Sequence, residues 1–188
     1  MAQLGGGLKS SAMAIMLSMA VWVGSVPGAR SQGNWTVFNP SAGQFQVEMP
    51  LPPTASQAQD TSPIGTVTTY IFTAKDGDGS FSVSYSDLPA LAIQFVGADG
   101  LMGQAKSSML RDQQNAREIS FDPATINGIA GKRLLYTAMS NGVQRSGEAF
   151  FMLNGSRLYV LNALVPAGSE ALTQKFFQSF RLNNQGAF

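Results

Sequence analysis

Three Asn-Gly pairs, Asn127-Gly128, Asn141-Gly142 and Asn154-Gly155, punctuate the segment 127–155. Glycine lacks a Cβ and asparagine tolerates left-handed backbone, so this dipeptide suits the positive φ angles of a tight hairpin turn. The runs around the three joints, 118–121, 130–139, 143–153 and 156–165, are rich in aliphatic and aromatic residues. Short apolar runs joined by hairpin turns predict an antiparallel meander. Upstream, 66–73 and 80–85 flank Lys75-Asp76-Gly77-Asp78-Gly79, and Phe81, Val83 and Tyr85 alternate with Ser80, Ser82 and Ser84. That alternation predicts a half-buried hairpin. Two short strands are expected around Asn39-Pro40, the second with Phe45, Val47 and Met49 on one face and Gln44, Gln46 and Glu48 on the other. The Pro-, Ser- and Gln-rich stretch 51–63 predicts an exposed connector.

Two stretches have helical periodicity. In 88–115, Leu101, Ala105, Ser108, Met109 and Asp112 recur at helical spacing, with Asp99 placed to cap the start. Gly97, Gly100 and Gly103 divide its first half, so it forms one helix or two. In 169–180, Leu172, Phe176, Phe177 and Phe180 make one apolar stripe behind a Ser169 cap. The expected fold class is α+β: a single domain with a twisted antiparallel β-sheet flanked by two helices. The helices are expected to cover one sheet face and to leave the other for a partner.

The first thirty residues have a different character. Lys9 is the only charge before Val26, and the apolar run 10–23, broken only by small hydroxyls, is followed by small residues. This is the layout of a secretory signal, with cleavage expected after Ser31 and after Ser25 as the alternative. An uncleaved anchor is the competing reading, although Lys9 to Pro27 encloses barely the ~17 residues that span a bilayer core. The expected organisation is a signal peptide over 1–31 and one domain over 32–188, exported to the periplasm or extracellular space, or to the lumen in a photosynthetic host. No integral membrane span would remain after cleavage. Removal of the signal takes Lys9 and Arg30 with it, so the 12 basic residues fall to ten against 11 acidic ones. A nearly neutral surface gives no electrostatic reason to bind nucleic acid.

The 188 residues include no cysteine and no histidine. A Ser-His-Asp triad, a cysteine nucleophile and an ordinary zinc site all lack their essential group. A hydrolase using dispersed carboxylates is the alternative that composition leaves open. Asp76-Gly77-Asp78-Gly79 suggests a calcium loop, but EF-hand positions six and twelve fall on Phe81 and Asp87. A hairpin turn is therefore the better reading, with a weak Ca²⁺ contact as the alternative and no cofactor expected. Lys132, Arg133, Arg145 and Arg157 lie on successive strands of the meander. If they share a face they form a basic strip that could bind a partner, and otherwise they are solvated strand residues that discourage edge aggregation. As a strip, Arg145 and Arg157 could be reversed to glutamate without harm to folding. Trp35, Phe38, Tyr136 and Tyr159 are read as buried packing, with an aromatic ligand surface as the alternative.

Trp35 leading a short strand, Phe45-Gln46-Val47-Glu48-Met49-Pro50, Tyr85-Ser86-Asp87-Leu88-Pro89, the meander and a closing Phe176-Phe177-Gln178-Ser179-Phe180 helix together resemble the PsbP-like superfamily over 34–182. The resemblance implies an antiparallel sheet flanked by helices. Members include extrinsic lumenal proteins that assist the oxygen-evolving photosystem, a nuclear protein that binds the GTPase Ran, and many exported bacterial proteins. PsbP itself docks through basic residues and has been linked to calcium retention. The function implied is that of a non-enzymatic accessory or binding protein docking on a membrane-associated assembly in the cell envelope, such as photosystem II. The resemblance carries no metal-binding residue across.

Overall fold

The computed structural model describes residues 35–62 and 65–183, so the signal peptide expected over 1–31 and its expected cleavage point lie outside the described residues. The elements run β1 (Thr36–Phe38), β2 (Phe45–Met49), β3 (Thr54–Ser62), β4 (Gly65–Asp76), β5 (Gly79–Asp87), α1 (Ala90–Asp112), β6 (Arg117–Ile126), β7 (Ile129–Ser140), β8 (Val143–Asn154), β9 (Arg157–Val165), α2 (Glu170–Ser179) and β10 (Arg181–Leu182). Seven strands form one antiparallel sheet in the order β3-β4-β5-β9-β8-β7-β6, and β1, β2 and β10 form a second, small sheet.

The turn chemistry sets the register. Asn127-Gly128 and Asn141-Gly142 both have positive φ at both residues, as two-residue hairpin turns require. At the third joint the turn is displaced by one residue. Asn154 pairs with Arg157, and Gly155 takes the positive φ of 59° at the first turn position.

Two connections differ from expectation. Residues 54–62 are a strand rather than a connector, paired residue for residue with β4 from Thr54↔Thr73 to Ser62↔Gly65. The β-branched run Thr66-Val67-Thr68-Thr69 offers a strong template, and a polar strand needs only backbone pairing on one side to join it. The helices also lie on opposite sheet faces rather than one. Phe176 and Phe177 of α2 and Phe180 just after it pack with β2 against Phe81, Val83, Tyr159 and Leu161, whereas Met102, Ala105 and Met109 of α1 pack against Leu134, Tyr136, Ala149 and Phe151. Central strands with apolar residues on both faces demand cover on both. The four consecutive residues Ala149, Phe150, Phe151 and Met152 are all 0% exposed.

Helix α1 is broken where glycine permits. Gly97 sits at φ 74°, ψ 164°, a conformation essentially reserved for glycine, and divides α1 into 90–96 and 98–112. Asp99 does not cap the helix start at Pro89, and its carboxylate lies 3.4 Å from Lys132 Nζ instead. Ser169 holds the N-cap position of α2, but its hydroxyl makes no capping bond, and Glu170 accepts one from the Gly168 N–H at 3.1 Å.

The β6–β7 turn also finishes α2. Asn127 Nδ2 donates to the carbonyls of Phe177, Gln178 and Phe180 at 3.2, 3.3 and 2.9 Å, satisfying acceptors that a helix leaves unpaired at its C-terminus. Asn127→Gly keeps the turn's positive φ and removes only this cap. It is expected to lower the unfolding free energy by about 0.5–1.5 kcal/mol in urea titration, while Asn141→Gly, at the equivalent turn, is nearly neutral.

Candidate partner-binding surface

Register decides where the four basic residues point. Lys132 alternates with Leu134, Tyr136 and Ala138, and Arg145 lies opposite Ala138, so both belong to the α1 face. Arg133 and Arg157 fall on the other face, the latter in phase with Tyr159 and Leu161. The structure therefore does not bring the four together, and each has a carboxylate partner. Lys132 meets Asp99, Arg133 Nε meets Glu148 at 2.8 Å, Arg145 Nη2 meets Asp78 at 3.3 Å, and Arg157 Nε meets Asp87 at 2.6 Å. Arg133 alone keeps a half-exposed side chain, at 48%.

Three of these groups hold the fold together. Lys132 and Lys106 both lie over the Phe121 ring, at 5.2 and 4.7 Å, and Lys106 bonds Glu118 at 2.7 Å. These contacts tie α1 to the β6 edge. Arg157 bonds both Asp87 oxygens, donates to the Ala42 carbonyl at 2.8 Å and stacks 4.7 Å over Tyr85. Arg145 is 9% exposed and its Nε has no hydrogen-bond partner. Reversing Arg145 and Arg157 to glutamate would set new carboxylates against Asp78 and Asp87, contrary to the expectation that folding tolerates the change.

The aromatic candidates are packing. Tyr136 and Tyr159 are 1% exposed, and Trp35 and Phe38 pack on the core through Phe81 and Phe72 at 5.0 Å each. Gly147 makes room for Tyr136, whose ring occupies the space a Cβ would take and whose hydroxyl donates to Asn162 Oδ1 at 2.8 Å. Burial raises that hydroxyl's pKa to about 12, with the Asn162 bond opposing. Tyr159 donates to the Gly43 carbonyl at 3.0 Å, fastening the small sheet. Asp76 ends β4 and Asp78 lies in the two-residue turn to β5, and no group of three acidic side chains positioned for a metal occurs among the described residues.

What does stand exposed is apolar. Leu91 and Phe95, one helical turn apart in the first segment of α1, are 52% and 78% exposed, while Ala92 between them is buried. Sequence reasoning placed both in a helix and missed the patch. The available signal was the absence of any charge from Leu88 to Gly97, which leaves this segment only Gln94 as a polar side chain to show to water. An open groove of about 440 Å³ runs beside the second segment of α1, lined by Gly100, Gly103, Ser107 and Arg111 and bounded by Asp60.

No family model and no curated protein matches the sequence. Among solved structures, cyanobacterial PsbP from Synechocystis matches with a TM-score of 0.51 at 15% identity, over 85% of this chain and 98% of that one. The fold is PsbP-like. A Bacteroides thetaiotaomicron protein matches with a TM-score of 0.50 at 14% identity, over 83% of this chain and 50% of that one. The Saccharomyces cerevisiae Ran-binding protein Mog1p matches with a TM-score of 0.43 at 12% identity, over 80% of this chain and 96% of that one. Within the PsbP-like frame, Leu91 and Phe95 sit on the helical segment that directly follows β5. No helix among the described residues is long and apolar enough to cross a membrane.

The Arg157 clamp has a pH signature. The hydrogen bonds from Arg157 hold the Asp87 carboxyl below its ordinary range, against a smaller opposing effect of burial. A lowered folded pKa stabilises the fold above the unfolded carboxylate's pKa of about 4, and that contribution is lost as pH falls through the folded value. Arg157→Met should cost about 1–2 kcal/mol near neutral pH, the exposure of Asp87 discounting the ionic part. The deficit should shrink as the pH of the unfolding titrations is lowered from 6 toward 3.

Proposed function

We propose that this chain is an exported, non-enzymatic accessory protein that docks on a membrane-associated assembly of the cell envelope. In a photosynthetic host the assembly would be photosystem II. The exposed Leu91–Phe95 pair carries the reading. A phenylalanine 78% exposed on a helix, one turn from a half-exposed leucine, is the kind of apolar anchor that an interface buries at its centre. The glycine-only conformation at Gly97 fixes the direction in which this segment projects. Removal of the segment 1–31 on export would release the domain with Gln32 at its N-terminus. Of the four basic residues, Arg133 is the one exposed enough to assist the approach electrostatically.

Photocrosslinking in the native envelope tests this. A benzophenone side chain at position 95 should give one discrete adduct, and the same group at the exposed Gln174 of α2 should give none. Leu91→Ser/Phe95→Ser should abolish copurification of the crosslinked species without lowering the melting temperature. Adducts of equal yield from both positions, or undiminished copurification by the double variant, would rule out this surface.

A further inference from the structure

The two edges of the large sheet are treated differently. The β6 edge is guarded: Pro123 removes a backbone donor, the register slips between Glu118 and Ser120, and Arg117, Glu118 and Asp122 place charges along it. The β3 edge has none of these devices. Its pairing with β4 is unbroken for nine residues, it contains no proline or lysine, and Asp60 is its only charge. Every residue from Thr54 to Asp60 is exposed. A long, regular edge strand with free backbone donors and acceptors is a template for another strand.

We infer that β3 is a self-association edge, on which a second copy of this chain pairs antiparallel through its own β3. The strand's sequence argues for this occupant. When two copies of Thr54–Ser62 overlap fully about a two-fold axis, Ala58 meets Ala58, Gln57 meets Gln59 and Ser56 meets Asp60. The smallest side chain lies on the axis, where two copies of the same residue must share the space. The amides of Gln57 and Gln59 face one another across the axis, each able to donate and accept. The lone carboxylate of each copy lies opposite a serine hydroxyl rather than the other carboxylate, so the pairing contains no like-charge contact. The product is one continuous fourteen-stranded sheet. Pairing along a single edge falls below the roughly 1,200 Å² typical of stable interfaces, so the dimer is weak and dissociates on dilution. It leaves Leu91 and Phe95 exposed, and this inference is independent of the docking role proposed above.

Sedimentation equilibrium of the domain 32–188, across a range up to several hundred micromolar, reads the association directly. Gln57→Glu/Gln59→Glu sets a carboxylate against a carboxylate at both symmetric positions and should weaken dimerisation at least tenfold. Gln57→Glu/Gln59→Lys sets opposite charges against each other at the same two positions and should restore it. Both variants lie within the exposed stretch 54–60, so circular dichroism should show an unchanged fold. Hydrogen exchange should slow at alternate amides of 54–62 as concentration rises. A wild type that stays monomeric over this range, or two charge variants that behave alike, would overturn the inference. Undiminished dimerisation by the Glu/Glu variant would place the contact elsewhere and overturn it equally.

Discussion

Burial of the central strands on both faces governs the rest of this molecule. Phe150 and Met152 of β8 point to one side and Ala149 and Phe151 to the other, and none retains any exposure. Full burial of each phenylalanine and of the methionine contributes roughly 1.5–3 kcal/mol. A sheet with such a centre cannot leave a face open to water. Helix α1 covers one side, and α2 with the small sheet covers the other. The closures are specific as well as apolar: Asn127 caps α2, Tyr159 reaches the Gly43 carbonyl, and the two lysines over Phe121 bind α1 to β6.

That arrangement determines where binding can occur. Basic residues on the meander are drawn into ion pairs at strand ends and along the helix margins, where they hold elements in place. Outside the doubly covered centre, the first segment of α1 exposes Leu91 and Phe95, and the β3 edge strand is exposed from Thr54 to Asp60. Both are reached without disturbing the core.

Much of this was legible in the sequence. The Asn-Gly turns announced the meander, the alternation of Phe81, Val83 and Tyr85 with serines announced β5, and the phenylalanine stripe announced α2. The helices' placement on opposite faces was harder to read, yet the unbroken run Ala149-Phe150-Phe151-Met152 carried it, because a strand apolar at every position is buried on both sides. Strand β3 left no trace of its own. Between Thr54 and Thr61 its residues have neither β-propensity nor apolar alternation, and it is a strand because its neighbour pairs with it. The basic residues were visible, but their grouping was not, since a shift of one position in register moves a side chain to the opposite face. The exposure of Leu91 and Phe95 was not legible, because composition alone does not say which way a short apolar helix turns.

Native-state hydrogen exchange of the protein at low concentration tests the double-cover account most directly. The account predicts that amides of 149–152 and 159–163 exchange only through global unfolding, with free energies equal to that of the whole domain, while those of 90–96 exchange through local opening several kcal/mol lower. Local exchange at 149–152 well below the global value, or full global protection of 90–96, would contradict it.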